Sequence, residues 1–238
     1  MFVAVCASLF GNLVLLALIG VKGAPNVAAS RMLQDRGFEE VLVSDGASSH
    51  AKIVVIPLEG IIAVGQPGPL GNELVSDFKH ALDQARTDSS VKAVVVATDS
   101  PGGEITASDV LFNAIRNFAK HKPIIVYFNS IGASGAYYAA CGASYIMCND
   151  TTFTGSIGVI ISTLNYRDLF GKVGLESVVF KSGKFKDMLN GARELTLEES
   201  EYVQGLVMQS YGRFVGIVAK ARKIDEAKLR NGPADGRI

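Results

Sequence analysis

The chain has 238 residues, room for one large domain or two small ones, and 48% of them are apolar, enough for a sizeable core. Lys and Arg total 23, as do Asp and Glu, so there is no global basic field to attract nucleic acid and no acidic tail. Cys6, Cys141 and Cys148 are an odd number without metal-ligand spacing; they argue against a disulfide framework and read as buried thiols, and neither a metal nor a cofactor is implied.

Residues 1–21 carry no charged side chain and are long enough to cross a bilayer as a helix. We read them as a retained anchor rather than a cleaved signal peptide. No Lys or Arg precedes the apolar run, and the small-residue sites Gly23-Ala24 and Ala28-Ala29 are weak cleavage signals. Lys22, Arg31 and Arg36 follow the span, a bias that by the positive-inside rule favours a cytoplasmic body. Residues 22–50 have no sustained apolar period and read as a linker, with a short helix near residues 32–41.

The third segment, residues 51–238, alternates strand and helix patterns. A β-branched run at 52–58 predicts a strand ending at Glu59-Gly60. Residues 72–86 place Leu74, Val75, Phe78, Leu82 and Ala85 at helical spacing. A second strand at 91–97 stops before Asp99-Ser100-Pro101-Gly102-Gly103, and a helix follows over 105–120. A third strand at 123–128, a helix of small and aromatic residues at 134–141 and a fourth strand at 145–148 complete the alternation. Such alternation predicts βαβ units and a parallel sheet with helices packed outside it. Residues 196–222 read as a long amphipathic helix, opened by Thr196 with Glu199 three residues later as a capping box.

Three features carry possible chemistry. Ser100-Pro101-Gly102-Gly103 lies between a strand and a helix, where unobstructed N–H groups can stabilise an oxyanion or simply turn the chain. Gly132-Ala133-Ser134-Gly135-Ala136-Tyr137-Tyr138 occupies a similar position. Its small residues leave room for a substrate carbonyl beside Ser134, although on local pattern alone Ser134 capping a closely packed helix is the favoured reading. The Gly-x-Ser-x-Gly elbow is not met, because position 136 is Ala. The third feature holds Lys181, Lys184 and Lys186 within six residues, usually the mark of a solvated loop, but Phe185, Met188 and Leu189 offer apolar cover for one lysine acting as general base. His50, His80 and His121 sit in a linker or on charged helix surfaces, which disfavours a Ser-His-Asp triad.

Taken in order, Ser-Pro-Gly-Gly, Gly-Ala-Ser-Gly-Ala-Tyr-Tyr-Ala-Ala, Thr154-Gly155-Ser156-Ile157-Gly158-Val159 and Lys-Ser-Gly-x-x-Lys-Asp resemble the motif series of the signal peptide peptidase A family. The resemblance implies Ser134 as nucleophile and Lys186, the lysine before Asp187, as general base. It implies oxyanion donation from the amides of Gly103 and Ser134, and Ser156 as the residue that orients the lysine. It further implies the caseinolytic protease/crotonase-like fold of repeated ββα units with stacked sheets. With it come ring-like homo-oligomers that complete the dyad between subunits, and hydrophobic peptides such as released signal peptides as substrates. Bacterial members place the catalytic domain outside the cytoplasmic membrane, against the charge bias noted above. The family continues beyond a point equivalent to Ile238, so its closing strand and helix are expected to be missing here. A crotonase-fold acyl-CoA enzyme and an inactive membrane scaffold are the competing readings.

Overall fold

The computed structural model describes residues 38–44, 51–65 and 74–238, so the expected membrane helix over 1–21 and most of the linker lie outside the described residues. The chain divides into two compact units, Met1–Asp45 and Gly46–Ile238. In the first unit, residues 38–44 are exposed and irregular, which corrects the part of the expected 32–41 helix that falls on them. Among the described residues no helix is long and apolar enough to cross a membrane.

The second unit is built on a parallel sheet. Its elements run β1 (Lys52–Ile62), α1 (Leu74–Thr87), β2 (Val91–Gly103), α2 (Ile105–Phe118), β3 (Ile124–Ala133), α3 (Gly135–Ala140), β4 (Tyr145–Cys148) and β5 (Phe153–Gly155). Strands are ordered β1-β2-β3-β4, and β5 pairs with the far end of β3. Alternation along each strand decides the layers. Ile56 and Leu58 of β1, Val94 and Val96 of β2, and Val126 and Phe128 of β3 are buried. They form one core with Val75, Phe78 and Leu82 of α1, Leu111 and Ile115 of α2, and Ala136 and Ala139 of α3. All three helices therefore cover the same face. On the opposite face Ile53 and Tyr145 are about two-thirds exposed, at 65% and 64%, and Val55 and Met147 are exposed with them. One sheet forms among the described residues; a second, stacked sheet is not among them.

Two strands run further than expected. β2 continues through Ser-Pro-Gly-Gly to Gly103 and β3 continues to Ala133, because their ends find partners: Ile62 opposite Gly103, and Ser100 opposite Gly132. Register shifts between Glu59 and Ile61 and between Thr98 and Ser100 accommodate the Pro and Gly residues there. Beyond the sheet come the short helices α4 (Arg167–Lys172) and α6 (Glu226–Arg230), with α5 (Leu197–Arg222) between them. The capping box at Thr196 and Glu199 is present. The apolar packing of α5 is concentrated in its C-terminal half, while Glu199 is buried near its start. Phe214, Val215 and Val218 are buried with Phe112, Tyr138, Ile157 and Leu229, whereas Leu197 and Tyr202 are exposed. Arg213 fastens this half further, donating to Asp109 at 2.7 Å and to Tyr138 at 3.0 Å. Desolvation and the bond to Asp109 push the Tyr138 hydroxyl up to about 12. Cys141 is buried, as expected of a bland thiol, and burial pushes it up to about 12. Cys148 is exposed instead, since β4 is largely uncovered.

Candidate active site

Strand β3 ends at Ala133 and α3 begins at Gly135, so the chain reverses at a single residue, Ser134. That residue has φ 51° and ψ −118°, a conformation that costs an L-residue about 1–3 kcal/mol and is kept only where surroundings enforce it. The enforcement is visible. Ser134 N–H donates to Gly155 O at 2.9 Å, Tyr138 N–H donates to Ser134 O at 2.9 Å, and Thr154 Oγ1 donates to Gly132 O at 2.8 Å. The Ser134 side chain makes no capping bond to the helix. The plain-cap reading therefore fails, and the hydroxyl stands on a sharp strand-to-helix turn with its backbone fixed.

The Ser-Pro-Gly-Gly strand end lies against this turn. A Cβ added to Gly102, itself at φ 96°, would come within 2.5 Å of Gly135 N and 2.9 Å of Ser134 Cβ. A Cβ added to Gly135 would lie 3.1 Å from Gly103 N and 2.2 Å from Ser108 Oγ. Glycine is required at both positions for the two backbones to approach. Ser100 is fully buried and its Oγ accepts the Gly102 N–H at 3.1 Å, holding the turn. The amides differ in what they have left to give. Ser134 N–H is engaged by Gly155, whereas Gly135 N–H, the first of α3, has no partner among the described residues. Gly135 was missed in the sequence, although its place directly after the serine at a helix start was the available signal.

Ser156 follows Gly155 with both in the left-handed region, and its N–H donates to Arg237 O at 2.8 Å. Among the described residues no hydrogen bond joins Lys186 to Ser156 or to Ser134. The three lysines have separate fates. Lys181 pairs with Asp187 at 2.6 Å; Lys184 pairs with Glu198 and lies 4.9 Å over the Phe185 ring. Lys186 is exposed, and its side chain has no hydrogen bond or ion pair among the described residues. A groove of about 500 Å³ beside α4, lined by Phe170, Lys172, Leu175 and Glu176 among others, contains none of these residues.

Residues 116–238 match the model of peptidase family S49. The chain belongs to peptidase family S49. A provisionally named signal peptide peptidase SppA from Enterococcus faecium is 37% identical over 84% of this chain and 58% of its own length. The chloroplastic serine protease SPPA of Arabidopsis thaliana is 32% identical over 72% of this chain and 26% of its own. Protease 4 of Salmonella typhi is 31% identical over 74% of this chain and 28% of its own. This S49 chain thus spans little more than half the length of the Enterococcus relative. Among solved structures, a mutant of ClpP1 from Listeria monocytogenes aligns at 13% identity and a TM-score of 0.46, covering 75% of this chain and 78% of its own.

The matched region takes in Ser134, Gly135, Ser156 and Lys186, while Gly102 and Gly103 precede it. What the arrangement offers chemically is a strained, uncapped serine hydroxyl, an unengaged amide beside it and a lysine free of local ion pairs.

Proposed function

We propose that this chain is a membrane-anchored serine endopeptidase that degrades hydrophobic peptides, including cleaved signal peptides, through a Ser134–Lys186 dyad. The conformation of Ser134 carries the reading: a non-glycine residue held at φ 51° with its hydroxyl uncommitted. Lys186 is supported as base because Lys181 and Lys184 are both tied to carboxylates. Ser134 Oγ attacks the peptide carbonyl while neutral Lys186 takes its proton, giving a tetrahedral oxyanion. The amides of Gly103 and Gly135 are the donors for that oxyanion. Gly135 replaces Ser134 in this role, since the Ser134 amide is spent on Gly155. Collapse breaks the C–N bond, and the departing amine takes the proton from Lys186. Water then attacks the serine ester with Lys186 again as base, releasing the acid and restoring the hydroxyl.

In this reading the dyad is completed between copies in a ring-like homo-oligomer. Residues 1–21 anchor it in the bacterial cytoplasmic membrane, with the catalytic domain outside. Ser156 orients the lysine of the assembled site. Cleavage of a fluorogenic hydrophobic peptide by wild type and by Ser134→Ala tests the reading. Activity confined to wild type, with Ser134 labelled by a fluorophosphonate, is the expected result; a clean Ser134→Ala preparation that still cleaves would refute it.

A further inference from the structure

We propose that Arg193 is a positioning residue for Lys186, fixing the segment that carries the base to the N-terminus of α5. The proposal rests on the Ser134–Lys186 reading. Residues 182–190 form neither strand nor helix. Their backbone is shaped by consecutive turns, with Lys186 N–H donating to Gly183 O at 3.0 Å and Asn190 N–H to Asp187 O at 3.1 Å. Turns set local curvature but not where the segment lies. A long, exposed lysine side chain delivers its nitrogen reproducibly only if its backbone is held from outside.

The anchoring comes at the next residue. Arg193 grips Asp187 with two parallel bonds, Nε to Oδ2 and Nη2 to Oδ1, each 2.9 Å. The same guanidinium grips Glu199, Nη1 to Oε2 at 2.8 Å and Nη2 to Oε1 at 2.5 Å. Glu199 belongs to the capping box, so its carboxylate also accepts the Thr196 N–H at 2.9 Å. Both carboxylates are largely withdrawn from water, with side chains 11% and 4% exposed. Arg193 thus joins the residue after Lys186 to the first turn of α5 in one planar unit. Lysine, a single point donor, cannot hold two carboxylates with this geometry. The apolar packing of α5 lies elsewhere, at Phe214, Val215 and Val218, and does not include Asp187, Arg193 or Glu199. A charged clamp separate from that packing and adjacent to the base acts on placement of the base.

The test uses the full chain, a fluorogenic hydrophobic peptide, thermal unfolding, and the variants Arg193→Met, Arg193→Lys, Thr196→Ala and Lys186→Ala. Misplacing a catalytic group by an ångström costs about 100-fold in rate, so Arg193→Met should lose kcat on that order with KM little changed and a native far-ultraviolet spectrum. Arg193→Lys should recover part of the loss. Thr196→Ala, which weakens the same helix start but leaves both arginine grips in place, should keep the wild-type kcat. A wild-type kcat in Arg193→Met overturns the proposal, as does a loss that only tracks the unfolded fraction. If Arg193→Met does not fold, Arg193→Lys decides: a folded protein with wild-type kcat overturns the proposal, and a reduced kcat with unchanged KM supports it. Lys186→Ala separates the two layers. An active Lys186→Ala removes the dyad and this inference together, while a dead Lys186→Ala beside fully active Arg193 variants removes this inference alone.

Discussion

Gly102 shows how little room the site leaves. Its missing Cβ would fall on Gly135 N and Ser134 Cβ, and its φ of 96° is itself unfavourable for alanine. Gly102→Ala should therefore push the α3 amide away from any substrate oxygen, and losing one such donor costs about 100-fold or more in kcat. Peptide hydrolysis alongside a melting curve checks this, with wild-type turnover as the contrary result. At Lys186, substitution by arginine keeps the charge but supplies a group that cannot be deprotonated in use, so Lys186→Arg should be inactive. Lys184→Ala removes an exposed pair with Glu198, worth about 0–1 kcal/mol, and should keep most activity. If Lys184→Ala is the inactive variant, the register of the base is wrong. Motif order directed attention to Ser134, Gly103 and Lys186, and the strand-to-helix turn expected around Ser134 is present. The division of labour between amides was not legible in the sequence, because it depends on a bond from Ser134 to Gly155 across 21 residues of sequence.

Among the elements, α5 separates what is readable locally from what is not. Thr196 and Glu199 satisfy each other within one turn, and their spacing alone announced the helix start. Losing the cap in Thr196→Ala should cost about 1 kcal/mol, visible as a lower melting temperature. Glu199 adds a pH signature. Hydrogen bonds from Arg193, then from the Thr196 amide, hold its carboxyl down to about 2, against 4.5 for a free glutamate. The folded value lies below the unfolded one, so its stabilisation is present above pH 4.5 and is lost as pH falls toward 2. Asp187 is displaced in the same direction by Arg193 and then Lys181. Melting temperatures should therefore fall more steeply across that acid window in wild type than in Glu199→Gln; equal slopes would show that the Glu199 carboxylate contributes nothing. Strand ends resisted reading for the opposite reason. Pro101, Gly102 and Gly103 are local stop signals, yet β2 continues through them because β1 and β3 offer partners there. β5, three residues long and ending in glycine, exists only as a partner of β3.

For the whole molecule, one observation bears on association: one face of the sheet keeps Ile53, Val55, Tyr145 and Met147 exposed. Parallel sheets are ordinarily covered on both faces, and contiguous apolar surface marks association sites. Under the proposed function, inactive Ser134→Ala and Lys186→Ala chains should regain activity when co-assembled, since some junctions pair an intact serine with an intact lysine. Verified mixed oligomers without activity would count against sharing, and an active monomer would end the idea. The alternation of strands and helices made the parallel sheet legible, whereas the bare face was not, because exposure depends on what lies opposite each strand.

The strand order has a consequence for synthesis. Space repeats sequence from β1 to β4, so each new strand is laid beside the one just made and none must be inserted between two others. The sheet can grow at one margin as the chain emerges. Ser134, however, cannot be locked into its unusual conformation until residue 155 has arrived to accept its amide proton, and Lys186 comes later still. A nascent chain thus carries Ser134 out of the ribosome well before the backbone bond that fixes its conformation can form.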